Sequence, residues 1–337
     1  MSETVLVTGG TGYVAGWCVA ELVKRGYTVR ATVRSAAKGE QVRGAVATEV
    51  DPGDRLEFAI ADLTSDDGWA EAVAGVDYVL HVASPLGMHG GDAESLIVPA
   101  RDGTLRVLRA ATAAGVKRVV MTSAANTASP SSYQDESVND ETVWTDVNDP
   151  TLQPYRRSKT AAEKAAWDFM ATYDGPTTLA TVLPGAVFGP LLSANTLGSV
   201  QIIGRLLKGM PGTPRIGFEV VDVRDLADAH IRAMTTPEAA GQRFLATGEF
   251  MWMLDLARAL RDGLGKDAAK APTHNLPDVA VRGLAKFDGT LKELLPALGR
   301  RAVHTTAKAE RVLGWKSRPG AEAVVDCGRS LLAHNAV

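Results

Sequence analysis

Thr4–Gly16 reads TVLVTGGTGYVAG, and its two ends differ in kind. Thr4–Thr8 is short, apolar and β-branched, the composition of a strand buried on both faces. From Val14 to Arg25 the pattern turns helical. Val14, Cys18 and Leu22 fall four apart with Val19 and Val23 beside them, and Gly26 stands where a helix should stop. The glycines therefore sit between a strand and a helix. Gly9-x-x-Gly12-x-x-Ala15 and Gly10-x-Gly12-x-x-Ala15 are both open registers. A turn in that place lets a pyrophosphate approach the backbone and offers it the free N–H groups and partial positive charge of a helix start. No Lys-Ser or Lys-Thr follows, which separates the turn from an ATP or GTP loop.

Outward from this turn the period keeps alternating. Further strands are expected at Thr28–Arg34, Leu56–Ala61, Tyr78–Ala83, Arg118–Thr122 and Leu179–Leu183. Helical stretches lie between them, around Lys38–Val50, Asp67–Ala74, Leu96–Ala114 and Tyr155–Tyr173. Nearly all-apolar strands alternating with helices predict an α/β fold, a doubly wound parallel sheet of the Rossmann kind. After Pro184 the rhythm breaks into a stretch rich in Gly, Pro and Leu. Val223–Met234 reads as a helix, Arg243–Ala246 as a last strand, and the chain from Leu254 onward as helices and loops. This predicts a nucleotide-binding domain from 1–184 and 218–250, and a smaller, mostly helical substrate part from 185–217 and 251–337.

The 337 residues carry 36 Lys+Arg against 39 Asp+Glu, a net charge of −3. That balance argues against a protein that holds nucleic acid or an anionic membrane by bulk electrostatics. Only Cys18 and Cys327 are present, too few for a disulfide framework, so a reducing, cytoplasmic setting is expected. No apolar run approaches the ~20 residues that span a bilayer, and no signal peptide is evident at the N-terminus. His and Cys show no metal spacing.

The second strand discriminates between cofactors. NAD sites place an acid near its end to grip the ribose hydroxyls. Here TVRATVRSAAK contains no acid, whereas Arg30, Arg34 and Lys38 are cationic. A guanidinium suits a 2′-phosphate, so NADPH/NADP+ is expected, held by Arg34 and Lys38 with Arg30 structural. Further along, Pro154 precedes Tyr155-Arg-Arg-Ser-Lys159. Proline favours a first helical turn, and residues four apart share a helix face. An ammonium beside a phenol lowers its pKa from ~10, which makes Tyr155 a candidate proton donor to a carbonyl oxygen.

With these residues in view, the chain resembles the extended short-chain dehydrogenases/reductases, in the branch of dihydroflavonol reductases, cinnamoyl-CoA reductases and microbial aldehyde or ketone reductases. The resemblance is carried by VTGGTGYVAG, YTVRATVRS, Ala61–Leu63, HVASP at His81–Pro85, VVMTSAA at Val119–Ala125, YRRSKTAAEKAAWDF, VLPGAVFGP at Val182–Pro190 and VDVRDLADAH at Val221–His230. AERVLGW at Ala309–Trp315 extends it towards the C-terminus. It implies that Gly9, Thr11, Gly12, Tyr13 and Val14 meet the pyrophosphate, and that Asp62 and Leu63 meet the adenine. It also implies that Val82, Ala83 and Ser84 line the cofactor, and that Pro184, Gly185 and Val187 hold the nicotinamide end. Lys159 would bind the nicotinamide ribose as well as tune Tyr155. His81 reads as a satisfied core histidine.

One position departs from that branch. Relatives carry Thr-Ser-Ser after the fifth strand, the second Ser contacting the substrate carbonyl. This chain reads Thr122-Ser123-Ala124. Ser123 is the candidate third catalytic residue, with Asn126 and Thr127 as alternatives. Pro85, Leu86, Ser129, Tyr133, Phe188 and Leu191 are candidate pocket residues, mostly apolar, while Met251–Met253 reads as core. The function implied is an NADPH-dependent carbonyl reductase, reversible as an alcohol dehydrogenase, acting on apolar aldehydes or ketones. A nucleotide-sugar epimerase or dehydratase and a non-catalytic NADP sensor are the competing readings. The chain is expected as a monomer or as a homodimer through Leu96–Ala114 and Tyr155–Tyr173, unless Ala161, Ala162 and Ala165 pack on the sheet.

Overall fold

The structure, a computed structural model, describes residues 2–85, 93–130, 136–194 and 198–337. In chain order its strands are β1 (Thr4–Val7), β2 (Thr28–Val33), β3 (Leu56–Ile60), β4 (Tyr78–His81), β5 (Arg118–Thr122), β6 (Glu136–Asn139), β7 (Thr178–Pro184), β8 (Ala186–Phe188), β9 (Gly217–Asp222), β10 (Gln242–Ala246), β11 (Glu249–Trp252) and β12 (Arg301–His304). The helices are α1 (Tyr13–Lys24), α2 (Ala36–Ala47), α3 (Trp69–Val73), α4 (Ala93–Ala113), α5 (Pro154–Ala171), α6 (Val200–Lys208), α7 (Val223–Thr235), α8 (Met253–Leu264), α9 (Asp278–Leu284), α10 (Gly289–Leu294) and α11 (Gly320–Ala333).

Seven strands form one parallel sheet in the order β10-β7-β5-β4-β1-β2-β3. The expected Rossmann-type sheet is thus present. Period-two alternation builds both of its faces: Val5 and Val7 belong to a core shared with α1 and α7, while Leu6 belongs to the core with α3, α4 and α5. The chain runs from β1 to β2 and β3 on one side, then crosses back to β4, β5 and β7 on the other. The crevice at this reversal, outside the carboxyl ends of the strands, is where open α/β sheets bind ligands.

A second core gathers Phe188, Leu191, Val200, Ile203, Leu206, Leu256, Leu260, Val324, Cys327 and Leu331, beneath the small sheet β11-β9-β8. Ala309, Leu313 and Trp315 return to the core of the large sheet, and Trp315 Nε1 donates to the Asp225 carbonyl at 2.7 Å. The strands β6, β8, β9, β11 and β12 and helix α6 went unread in the sequence. Ala162 and Ala166 of α5 are buried against the sheet, as the packing alternative expected for Ala162, whereas Ala161 and Ala165 stay partly exposed. Among the described residues no helix is long and apolar enough to cross a membrane.

Candidate active site

The glycine turn is held by the neighbouring strand. Gly9 N donates to Thr32 Oγ1 and Gly10 N to the Thr32 carbonyl, both at 2.9 Å. Gly9 has φ of +72°, and a Cβ there would stand 2.9 Å from the Ala83 Cβ, so only glycine fits. Thr8 Oγ1 accepts from Ala83 N at 3.0 Å and pairs with His81 Nδ1 at 3.0 Å, while His81 Nε2 meets Thr104 Oγ1 at 3.2 Å. Burial lowers the His81 pKa to about 3, which leaves it the neutral core histidine the sequence suggested. Gly12 caps α1 in an extended conformation, so the first N–H groups of that helix, at Tyr13 and Val14, have no acceptor inside it. The Tyr13 side chain turns away instead. Its hydroxyl donates to the Gly189 carbonyl at 2.8 Å, and burial pushes its pKa well above the usual value.

At the end of β2, Arg34 is exposed and makes no hydrogen bond or ion pair among the described residues. Arg30 is committed to Glu57 Oε1 (2.7 Å) and the Ala72 and Ala74 carbonyls, the structural role expected of it. Lys38, in the first turn of α2, reaches Gln41 Oε1 at 3.0 Å. After β3, Asp62 accepts from Thr64 N (2.8 Å) and Thr64 Oγ1 (2.7 Å), and these bonds, with nearby Arg34, hold its carboxyl below the usual range. Leu63 is half-buried beside Gly103. Val82, Ala83 and Ser84 follow β4, half-buried.

The helix α5 begins at Pro154 and presents Tyr155, Lys159 and Glu163 at successive fours on one face. Tyr155 is 41 % exposed, and no hydrogen bond ends on its hydroxyl among the described residues. Protein packed around the ring nonetheless raises its pKa. The expected lowering by Lys159 is therefore absent. Lys159 is buried, donates to the Thr122 carbonyl at 3.2 Å, and has its pKa lowered to about 8 by burial, an effect that Glu163 opposes. Next to Tyr155, Arg156 ties the helix to the turn after β5 through the carbonyls of Asn126 (2.9 Å), Ser129 (2.8 Å) and Pro130 (2.7 Å).

Ser123 does not join this group. It is 1 % exposed and donates to Glu163 Oε2 at 2.6 Å, on the inner side of the sheet end. Thr127 is drawn to the same carboxylate oxygen at 2.6 Å. Glu163 Oε1 accepts from Thr181 Oγ1 (2.8 Å) and Arg243 Nε (2.9 Å). Burial alone would raise the Glu163 pKa, but Arg243, Ser123 and Thr127 together bring it below its ordinary value. This buried network escaped the sequence reading, because Glu163 and Arg243 lie 80 residues apart. Ala124 presents no hydroxyl, and the Asn126 side-chain oxygen is buried without a hydrogen-bond partner among the described residues.

At the far end of the crevice, Pro184 ends β7 and Gly185 follows. A Cβ on Gly185 would stand 2.3 Å from the Glu219 carbonyl oxygen, so this crossing of β7 and β9 requires glycine. Val187 pairs in register with Val221, and its carbonyl accepts from Ser199 Oγ at 2.6 Å. Of the pocket candidates, Pro85 and Ser129 are half-buried near these strand ends. Phe188 and Leu191 instead lie in the second core, with Met251 and Met253, because the sheet β8-β9 closes over them. Leu86 and Tyr133 fall outside the described residues.

The glycine turn, Arg34, Asp62–Leu63, Val82–Ser84 and Gly185 thus follow the carboxyl ends of β1, β2, β3, β4 and β7, whereas Lys38 sits on α2 and Tyr155 and Lys159 on α5. The glycine turn, the acid-free β2 end with its unengaged guanidinium, and the tight Gly185 crossing fit a dinucleotide bearing a 2′-phosphate. A sequence model of the NAD dependent epimerase/dehydratase family matches residues 5–246. Ketoreductase azaE of Aspergillus niger is 32% identical over 326 residues, covering 90% of this chain and 95% of its own. Dihydroflavonol 4-reductase of Zea mays is 33% identical over 306 residues, covering 87% and 79%. Among solved structures, Gre2 from Candida albicans in complex with NADPH superposes with a TM-score of 0.83 at 29% identity, covering 98% of this chain and 99% of that one.

Proposed function

The chain belongs to the NAD dependent epimerase/dehydratase family, and from that premise we propose that it is an NADPH-dependent carbonyl reductase for apolar aldehydes and ketones, reversible as an alcohol dehydrogenase. The observation that carries this reading is that Tyr155 and Lys159 share one face of α5, with Lys159 donating to the Thr122 carbonyl at the end of β5. NADPH, when bound, supplies the hydride. The chain's own residues do the rest. Tyr155, with its raised pKa, is a protonated phenol at neutral pH and can deliver its proton to the carbonyl oxygen. Lys159, one turn on, would hold the nicotinamide ribose. The N–H groups at Thr11, Tyr13 and Val14 and the start of α1 would take the pyrophosphate. Asp62 and Leu63 would meet the adenine, Val82–Ser84 the middle of the cofactor, and Pro184, Gly185 and Val187 the nicotinamide.

An assay of NADPH consumption across a panel of aldehydes and ketones tests the reading; a panel with no substrate would end it. The choice of NADPH over NADH rests on Arg34, with Lys38 beside it. One charge-assisted contact is worth about 1.5–3 kcal/mol, so Arg34→Ala is expected to lose roughly 10- to 100-fold in kcat/KM with NADPH and little with NADH. An equal loss with both cofactors would remove Arg34 from the 2′-phosphate.

A further inference from the structure

Tyr155 is the second residue of α5, in the turn where a helix holds its own backbone least, because the first N–H groups have no intrahelical acceptor. The backbone bond that opens this helix runs from Arg157 N to the Gln153 carbonyl at 3.1 Å, and among the described residues Gln153 makes no side-chain cap bond. The next side chain supplies the anchor instead. Arg156 is 4% exposed, and its guanidinium crosses to the turn that follows β5. Nε donates to the Asn126 carbonyl at 2.9 Å, and Nη2 to the Ser129 and Pro130 carbonyls at 2.8 and 2.7 Å. Nη2 also donates to Thr145 Oγ1 at 2.9 Å, and that buried hydroxyl lies 2.7 Å from the Asn126 carbonyl and 2.6 Å from the Ser129 carbonyl. One turn further on, Lys159 Nζ meets the Thr122 carbonyl at the end of β5. Arg157 is half-buried and donates elsewhere, to the Val147 carbonyl at 3.1 Å.

We propose that Arg156 is the positioning residue of the proton donor: by clamping the first turn of α5 to the turn after β5, it fixes where the Tyr155 phenol stands. The inference rests on the carbonyl-reductase reading and deepens it. A guanidinium stays charged at any working pH and offers its donors in one rigid plane. Three carbonyls set around that plane therefore hold it, and the backbone of its neighbour with it, in a single place. The Lys159 contact alone is one point of attachment, about which the start of the helix can pivot. Arg156 is a second point, three residues nearer the N-terminus. Burial makes the clamp stiff, since a displaced guanidinium would leave itself and the carbonyls unpaired away from water. Thr145 closes the cage from the other side: its backbone N donates to the Thr127 carbonyl at 3.0 Å, so the hydroxyl that Arg156 grips is itself fixed to the same turn.

The test is a set of substitutions assayed with the fastest ketone or aldehyde of the panel at saturating NADPH. Arg156→Met is expected to lower kcat by roughly 10- to 100-fold, the loss that a misplacement of about 1 Å brings, while NADPH binds as in the parent. Arg157→Met, one residue along the same helix, should keep the parent kcat. The decisive comparison repeats Arg156→Met in the Tyr155→Phe background. With no proton left to aim, the change should cost little more there, whereas a general loosening of the protein would cost the same factor in both backgrounds. Thr145→Val keeps the shape and removes one hydroxyl of the cage. Its loss should be smaller and should vanish in the same background, and it decides the matter if Arg156→Met does not fold. A parent-like kcat, or an equal loss with and without the phenol, overturns the positioning role. Hydrogen exchange on the full chain reads the clamp without turnover. The amides of 154–160 should exchange faster in Arg156→Met and not in Arg157→Met, and protection equal to the parent's in Arg156→Met overturns the clamp. A parent that reduces nothing on the panel therefore ends the reductase reading, while the exchange still decides whether Arg156 holds the turn that carries Tyr155.

Discussion

Tyr155→Phe is expected to lose about 10²- to 10⁴-fold in kcat while binding NADPH as the parent does. General acid catalysis by a positioned side chain contributes that range, and phenylalanine keeps the ring but has no proton to give. The geometry makes the comparison clean. The hydroxyl makes no hydrogen bond among the described residues and the ring is 41 % exposed, so its removal leaves no buried group unpaired and the fold intact. The measurement is single-turnover reduction beside a fluorescence titration of the cofactor. An unchanged rate, with chemistry shown to be the slow step, would overturn the mechanism. Ala124 carries no hydroxyl and Ser123 donates to Glu163, so neither adds a donor beside the proposed acid Tyr155.

Glu163→Gln is expected to destabilise the protein by about 3–5 kcal/mol, the loss typical when one partner of a buried ion pair is removed. Glu163 is fully buried and Arg243 nearly so, with its guanidinium 3.6 Å over the Trp144 ring and bonded to the Glu141 and Val143 carbonyls. Without the carboxylate that charge is stranded, and one of the two oxygens that accept from Ser123, Thr127 and Thr181 becomes an NH2 that cannot accept. Urea unfolding reads the loss as a lower midpoint. Removing Arg243 as well, by Arg243→Leu in the Gln background, should cost less than the sum of the two single changes. The pH dependence has a definite sign. The Glu163 pKa is lowered by folding, so its contribution is present above the ordinary carboxylate range and is lost as pH falls through the lowered value. The substitution also reaches Lys159, whose pKa of about 8 is held up in part by Glu163. Cofactor affinity in the parent should weaken as pH rises through that value, and in Glu163→Gln the weakening should begin at lower pH. A variant as stable as the parent, with the same pH profile, would deny the network both roles.

How far the sequence could be read depended on how local each feature is. The strands β1, β2, β4, β5 and β7 announce themselves because a strand covered on both faces must be apolar along its length. The glycine turn is a contiguous strand–turn–helix, and Tyr155 and Lys159 are one helical turn apart, so their shared face follows from 3.6-residue geometry alone. Arg34 was legible because strand β2 ends without an acid. By contrast β6, ESVN, and β9, GFEVVD, carry mixed residues, and their partners β12 and β8 lie elsewhere in the chain. Phe188 and Leu191 looked like pocket residues because an apolar side chain has the same identity in a core and in a cleft; only the sheet above them shows which it is.

By itself, then, the sequence determined the parallel sheet, the glycine turn, the cationic end of β2 and the Tyr155/Lys159 pair, since each rests on neighbours within a few residues. Only the tertiary structure decided the direction of every polar side chain around them. It sent Ser123 inward to Glu163, raised rather than lowered the Tyr155 pKa, and drew Ser129 to a histidine 175 residues away. A side chain's hydrogen-bond partner and its desolvation are set by which distant segments the core brings against it, and periodicity along the chain carries no record of them.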